Sequence, residues 1–78
     1  MSAPHSRVVV HLRPEDNIAV AARHLAAGQV FEHQGRSITV AGRVGLGHKV
    51  ALVGIRKGEA VLKYGQVIGF AACDIAPG

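Results

Sequence analysis

Basic side chains stand directly beside glycine turns at two places in this 78-residue sequence. His48 and Lys49 follow a Gly-Leu-Gly run, and Lys63 and Tyr64 come immediately before a single glycine. Glycine has no side chain, so the backbone at such a turn can approach a ligand closely. The chemistry that these residue types indicate is contact with an anion, which is attracted by positive charge.

The same positions also have purely structural explanations. Lys49 and Lys63 would be solvated on exposed strand faces, and His48 would be an ordinary turn residue. Asp16 and Asn17, a further polar pair that follows a proline, are good turn formers in their own right. The sequence leaves both explanations open.

Other motifs that would indicate a phosphate-binding, metal-binding or nucleophilic site are incomplete in this sequence. Residues 42–49 have the glycines of a phosphate loop but lack its Gly-x-x-x-x-Gly-Lys-Ser/Thr spacing. The histidines show no His-x-x-x-His pair, so we expect no metal site within this chain. They are His5, His11, His24, His33 and His48. The single cysteine, Cys73, is expected to be a buried small hydrophobic residue rather than a nucleophile.

Composition narrows the class of protein further. Nine Lys/Arg against five Asp/Glu give a formal charge of +4, which favours anionic partners. The basic residues are dispersed, and with one Tyr, two Phe and no Trp the chain is not expected to bind nucleic acid. One cysteine, no apolar run of membrane-spanning length and no signal peptide predict a cytoplasmic protein. A chain this short is one domain and too small for a self-contained enzyme.

Short β-strands are the elements that would position these residues. A β-branched run at residues 7–12 predicts a strand that ends at Arg13-Pro14, because proline lacks an N–H. Two pairs of short apolar runs flank turns at Gly35 and Gly65, which predicts two hairpins. Many short strands separated by glycine predict an all-β domain.

A nine-residue pattern also recurs: an apolar residue, Ala, three variable positions, Leu or Ile, two variable positions and Gly. The three copies and a shorter relative are Val20–Gly28, Val50–Gly58, Phe70–Gly78 and Val44–Gly47. A strand followed by a tight turn fits every copy. The alanines and Gly28 also allow a helix over residues 18–27, but the repeat favours a strand over residues 18–25.

Several segments, in this order, resemble the altronate and galactarate dehydratase family. The repeat ending at residues 55–59 looks like the SAF domain, a small β-clip module. Residues 13–21 resemble the opening of the family, and residues 47–52 and 61–69 resemble two of its internal motifs. The alpha subunit of sulfolactate sulfo-lyase is similar as well. The family usually continues past the final Ile-x-x-Gly with another short strand, whereas this sequence stops at Gly78.

The resemblance implies an all-β SAF-type β-clip over residues 8–78, with a short helical turn allowed, after a flexible N-terminus at residues 1–7. It implies a small subunit or N-terminal domain of a sugar-acid dehydratase, which is a hydro-lyase. This chain would help bind an anionic hydroxy acid while a larger partner subunit or domain carries out β-elimination. A divalent metal of the iron type would belong to that partner, and no cofactor is expected on this chain alone.

The resemblance also ranks the residues expected to contact substrate. They are His48 and Lys49 first, then Lys63 and Tyr64, then Asp16 and Asn17 as orienting groups. None of them is expected to be catalytic. Two alternatives stay open: a stand-alone module that binds a carbohydrate or acid, and a dimerisation module, since exposed strand edges favour pairing into a homodimer.

Overall fold

The computed structural model describes residues 8–11 and 13–78, and the flexible N-terminus predicted at residues 1–7 lies outside these described residues. The described part contains seven short strands and no helix, which confirms the all-β prediction without the helical turn that the alanines allowed. In chain order the strands are β1 (Val9–Val10), β2 (Ile18–Ala21), β3 (Val30–His33), β4 (Arg36–Thr39), β5 (Lys49–Ala51), β6 (Ala60–Lys63) and β7 (Gln66–Phe70). No helix long and apolar enough to cross a membrane occurs among these residues.

Strands β1, β2 and β5 form the central sheet, with β2 in the middle and both pairs antiparallel. Val20 lies opposite Val10 on one side and opposite Lys49 on the other. Of the strand predicted at residues 7–12, residues 7 and 12 lie outside the described residues, and β1 pairs with β2. Strands β3 and β4 form a first hairpin, and β6 and β7 form a second, each a separate two-stranded sheet.

The sequence repeat corresponds to four copies of one local structure, arranged as two antiparallel pairs. The copies are Ala21–Gly28, Val40–Gly47, Ala51–Gly58 and Ala71–Gly78. Leu25 of the first copy forms a bridge with Val44 of the second, and Ile55 forms one with Ile75. The glycine N–H that closes each copy donates to the backbone carbonyl that opens its partner copy, at 2.7 to 2.9 Å. The predicted shorter relative is therefore the end of a full copy that begins with valine instead of alanine.

Each copy bends after its first residue, so the strand predicted over residues 18–25 is only partly right. Strand β2 ends at Ala21, the next two residues bend, and Leu25 makes a single bridge. The same bend in the last copy leaves Cys73 exposed, so the expectation that this residue is buried is wrong. Cys73 lies between the two positions whose backbones pair with the partner copy, and its side chain faces solvent.

Two-residue turns close both hairpins, and both central residues have positive φ. The values are 53° and 79° at Gln34 and Gly35, and 57° and 72° at Tyr64 and Gly65. Positive φ at both positions is the type I′ turn, whose twist matches that of antiparallel strands. The hairpins predicted around the two glycines are confirmed. Glutamine and tyrosine, unlike glycine, are strained in this conformation.

Two groups of buried side chains form the core, and they differ in size. The larger contains Val9, Ala19, Ala21, Leu25, Phe31, Ile38, Val40, Val50 and Leu52. The smaller contains only Ile18, Ala51, Ile55 and Ala71. The first hairpin packs Phe31 and Ile38 into the larger group, whereas no residue of the second hairpin is fully buried. The second half of the fold therefore leaves apolar surface uncovered.

Candidate functional site

The loop between β1 and β2 holds the second hairpin through the side chain of Asp16. Residues 13–16 form a turn in which the Asp16 N–H donates to the Arg13 carbonyl at 3.1 Å. The Asp16 side chain is buried, and its two oxygens accept the backbone N–H groups of Tyr64 and Gly65, both at 2.7 Å. Two charge-assisted hydrogen bonds to one carboxylate thus fix the tip of this hairpin.

The surroundings of Asp16 keep its carboxylate ionised. Burial alone would raise the pKa of Asp16, because it removes the charge from water. The N–H groups of Gly65 and Tyr64, together with the nearby His11, outweigh burial and hold the pKa below its ordinary value of 3.8. An ionised carboxylate accepts hydrogen bonds and donates none, so Asp16 is suited to positioning the tip and not to general acid chemistry.

Asn17 holds the same hairpin one step further from the tip. Its Oδ1 accepts the Leu62 N–H at 2.8 Å, and its Nδ2 donates to the Ala60 carbonyl at 2.9 Å. The amide therefore occupies the place of a neighbouring strand along β6, satisfying backbone groups that would otherwise lack a partner. The structure thus shows that Asp16 and Asn17 position the second hairpin, while their role as groups that orient a substrate stays a prediction.

Lys63 and Tyr64 lie on the tip that these two residues fix. The Lys63 Nζ stands 4.9 Å from the centroid of the Tyr64 ring, within the range of a cation–π contact. Tyr64 is 44% exposed, and Lys63 pairs across the turn with Gln66. The tip therefore presents a positive charge and an aromatic hydroxyl on a backbone that cannot easily move.

His48 and Lys49 lie elsewhere on the molecule. The His48 N–H donates to the Gly45 carbonyl at 3.0 Å, and its ring lies against Gly45. Both His48 and Lys49 are exposed, at the start of β5. No Cα atom of β5 lies within 8 Å of one in β6, so the backbones at Lys49 and Lys63 are more than 8 Å apart. The structure brings together Asp16, Asn17, Lys63 and Tyr64, while Lys49 stands apart from them.

A cavity of about 340 Å³ opens on the other side of the Asp16 loop. Its lining combines polar groups with an apolar floor. The lining residues are His11, Pro14, Asp16, His33, Gln34, Arg36, Ile38, Leu52 and Val53. A volume of this size lies at the lower end of the range for small-molecule pockets.

Two histidines in this cavity contact each other although 22 positions separate them in the sequence. The His11 Nδ1 lies 2.8 Å from the His33 Nε2, and the rings meet edge to face with centroids 4.9 Å apart. The other His11 ring nitrogen lies 3.0 Å from the Asp16 carbonyl oxygen. Burial, and secondly the proximity of His11, lower the pKa of His33 below its ordinary value of 6.5.

The sequence interpretation missed this cavity, but part of the signal was present. Residues at alternate positions of a strand share a face, and cross-strand partners share it too. In the first hairpin this places His33 and Arg36, which are paired across the turn, on the same face as the buried Phe31 and Ile38. Nothing in the sequence indicates that His11 would meet His33, because that contact joins the first hairpin to the segment after β1.

The described residues 8–11 and 13–78 do not provide a metal centre. No group of three or more His, Cys, Asp or Glu side chains among them lies close enough together to hold an ion. The histidine pair and the Asp16 carbonyl leave too few ligands for a closed tetrahedral site. The residues present therefore do not fit a metal within this part of the chain, and no chemical step is assigned to one.

Comparison with known proteins identifies relatives over nearly the whole chain. The family model described as altronate/galactarate dehydratase SAF domain matches residues 7–78. An altronate dehydratase of Escherichia coli K12 is 46% identical over 63 residues, which cover 81% of this chain and 13% of that relative. An altronate dehydratase of Bacillus subtilis 168 is 35% identical over 69 residues, covering 88% and 14% respectively. The chain thus spans about one seventh of the length of these curated relatives.

Proposed function

The chain belongs to the altronate/galactarate dehydratase SAF domain family, and from that premise we propose that it helps bind an anionic hydroxy acid. In this proposal a larger dehydratase polypeptide, as a separate subunit or as the rest of a longer chain, carries out the elimination. Its curated relatives are about seven times longer than the matched segment, which supports a catalytic region outside the residues described here. A metal of the iron type would belong to that region.

The observation that carries the proposal is the pair of hydrogen bonds that the backbone N–H groups of Tyr64 and Gly65 donate to the Asp16 carboxylate. A buried carboxylate devoted to fixing a surface turn is useful where the side chains on that turn must be placed accurately. The side chains so placed are Lys63 and Tyr64, a cation and a hydroxyl that can bind a carboxylate or a sugar hydroxyl.

The chemistry of β-elimination explains why such groups would help. A base removes the proton α to a carboxylate, an acid protonates the leaving hydroxyl, and negative charge develops on the enediolate. Positive charge held near the carboxylate stabilises that developing charge. In the proposal Lys63 supplies it and Tyr64 orients the acid, while His48 and Lys49 form a second contact region at the start of β5. Proton transfer belongs to the larger polypeptide.

Reconstitution tests the proposal. The full chain is combined with the large dehydratase polypeptide encoded beside it, and dehydration of altronate and galactarate is measured. K63A and K49A are expected to reduce activity, while K57A, which removes an exposed lysine outside both regions, retains it. Full activity of the large polypeptide without this chain, together with no effect of K63A and K49A, would exclude the binding role. The absence of any such neighbouring gene would instead favour a stand-alone acid-binding module.

A second candidate function, dimerisation, is favoured by the uncovered surface of the second hairpin. Within residues 8–11 and 13–78, strand β7 pairs only with β6, so no described strand covers its outer edge. Val67, Ile68 and Phe70 on this strand are 54%, 48% and 69% exposed. The first hairpin, which likewise connects two copies of the repeat, buries its inward-facing Phe31 instead. A second copy pairing along β7 would cover both the edge and the apolar side chains.

Light scattering of the isolated chain distinguishes this candidate. A dimer that F70S converts to a monomer would support pairing through β7. A monomer at all concentrations would contradict it and leave the larger polypeptide as the partner that covers the hairpin. The control V30S removes an exposed valine of the first hairpin and is expected to leave the oligomeric state unchanged. Location in the cytoplasm stays a prediction.

A further inference from the structure

The inner face of the first hairpin is apolar at its base and polar at its tip. Phe31 and Ile38 pair across the strands and are buried in the core. His33 and Arg36 pair in the same way next to the turn, and both line the cavity. The hairpin therefore places a cation and an imidazole over a floor made of Ile38 and other apolar side chains.

The Arg36 guanidinium has no partner among the described residues. Among the described residues no hydrogen bond or ion pair engages the Arg36 side chain, and the one carboxylate that lines the cavity belongs to Asp16. Both oxygens of that carboxylate already accept backbone N–H groups of the second hairpin. The Asp16 charge lowers the positive potential of the cavity but does not neutralise Arg36 by direct contact. A five-donor guanidinium is thus available to an external acceptor.

The histidine pair adds a donor that depends on protonation. A carbonyl oxygen only accepts, so the His11 Nε2 facing the Asp16 carbonyl must carry a hydrogen. In the neutral pair, the His33 Nε2–H donates to the His11 Nδ1, and the His33 Nδ1 is a bare lone pair. If His33 takes up a proton, its Nδ1 receives the hydrogen directly. If the His11 Nδ1 takes it up, that nitrogen becomes the donor, the His33 Nε2 becomes the acceptor, and the hydrogen of the neutral His33 ring is on its Nδ1. Among the described residues this nitrogen has no other partner.

We infer that this cavity binds the carboxylate of a small organic acid and takes up one proton as it does so. Arg36 and the His33 Nδ1–H donate to the carboxylate, and Gln34 lies beside them. Ile38, Leu52 and Val53 complete the lining. In the second hairpin Lys63 and Gln66 occupy the positions of His33 and Arg36, so that hairpin does not repeat the pairing of an imidazole with a guanidinium.

This inference rests on the proposed function only for the identity of the acid, and the cavity can be tested without the larger polypeptide. Calorimetric titration of the full chain with galactarate provides the measurement. Galactitol, which has the same carbon skeleton without carboxylates, is the ligand control. We expect galactarate to bind and galactitol not to bind. Because one proton is taken up, affinity should rise by up to about tenfold per unit of pH between about pH 8 and pH 6.

Three variants connect that binding to the cavity. R36Q is expected to weaken galactarate binding roughly tenfold, the loss of one charge-assisted hydrogen bond. The matched variant R43Q removes an exposed arginine outside the cavity lining and should bind as the wild type does. H33Q should abolish the dependence on pH, and circular dichroism shows whether each variant is folded.

Equal weakening by R36Q and R43Q would show attraction by general surface charge and overturn the inference. Binding of the wild type without dependence on pH would overturn the role of the histidine pair. Neither result bears on the reconstituted dehydratase activity, which depends on Lys63 and Lys49 in the proposed function. Conversely, galactarate binding lost in R36Q would support the cavity even if reconstitution shows no role for the second hairpin.

Discussion

The carboxylate of Asp16 lies 2.7 Å from the backbone nitrogen of Tyr64, 48 positions further along the chain. The contact joins the loop after β1 to a turn whose tyrosine has φ of 57°. Backbone hydrogen bonds of this kind depend on the turn geometry, so Asp16 and the strained tip stabilise one another. The arrangement explains how an exposed aromatic residue is held in a conformation that favours glycine.

Replacement of Asp16 by asparagine should lower the free energy of unfolding. Asparagine has one side-chain oxygen where aspartate has two, so the N–H of Tyr64 or of Gly65 would lose its acceptor inside the fold. The expected result is a lower urea midpoint for D16N than for the wild type. D74N is the matched control, because Asp74 is exposed and accepts a single backbone N–H among the described residues, that of Lys57. An equal decrease in both variants would contradict a special role for Asp16.

The same carboxylate should make stability depend on acid pH. The pKa of Asp16 is lowered in the folded chain, so the unfolded state binds a proton more readily than the native state does. Its contribution is therefore fully present above the unfolded value of 3.8 and is lost as the pH falls through the folded value. Urea unfolding should show a difference between wild type and D16N at neutral pH that narrows below about pH 4. A difference that stays constant would rule out ionisation as its source.

The chain should be less stable with tyrosine at position 64 than with a residue that favours positive φ. Asparagine adopts left-handed conformations more readily than tyrosine and so relieves part of the cost of about 1–2 kcal/mol, while the lost cation–π contact with Lys63 removes about 0.5 kcal/mol. Y64N is therefore expected to raise the free energy of unfolding by about 0.5–1 kcal/mol. Y64F keeps both the strain and the ring and should leave stability unchanged. Destabilisation by Y64N would show that the tyrosine ring contributes packing that its exposure does not suggest.

Much of the fold follows from local signals, whereas the site depends on long-range contacts. The two hairpins were predictable because Gly35 and Gly65 each sit between short apolar runs, and type I′ turns need glycine there. The copy at Val40–Gly47 was only partly recognised, because valine replaces the alanine that marks the other copies. Cys73 was misplaced because the pattern does not reveal that each copy bends after its first residue. The meeting of His11 with His33 has no local sequence signal, since no periodicity links residues of different strands.

The bridge residue Ile55 should contribute strongly to stability. It is 2% exposed and belongs to the smaller buried group, where few neighbours could move to fill a void. Ile55→Val is expected to lower the free energy of unfolding by about 0.5–1.5 kcal/mol, measured by urea denaturation. Ile68→Val, at a position 48% exposed on the second hairpin, should change it by less than about 0.5 kcal/mol. Similar losses in both would indicate that the second hairpin is covered in solution.

His33 should make the chain less stable as the pH falls below neutral. Burial and then His11 lower its pKa in the folded state, so the unfolded chain takes up the proton first. The stabilising contribution is present above the unfolded value of 6.5 and declines as the pH falls through that value towards the folded one. The wild type should therefore lose free energy of unfolding between about pH 8 and pH 5, and H33Q should lose less. H48Q, which removes an exposed histidine outside the cavity lining, should follow the wild type, and identical losses in wild type and H33Q would contradict the assignment.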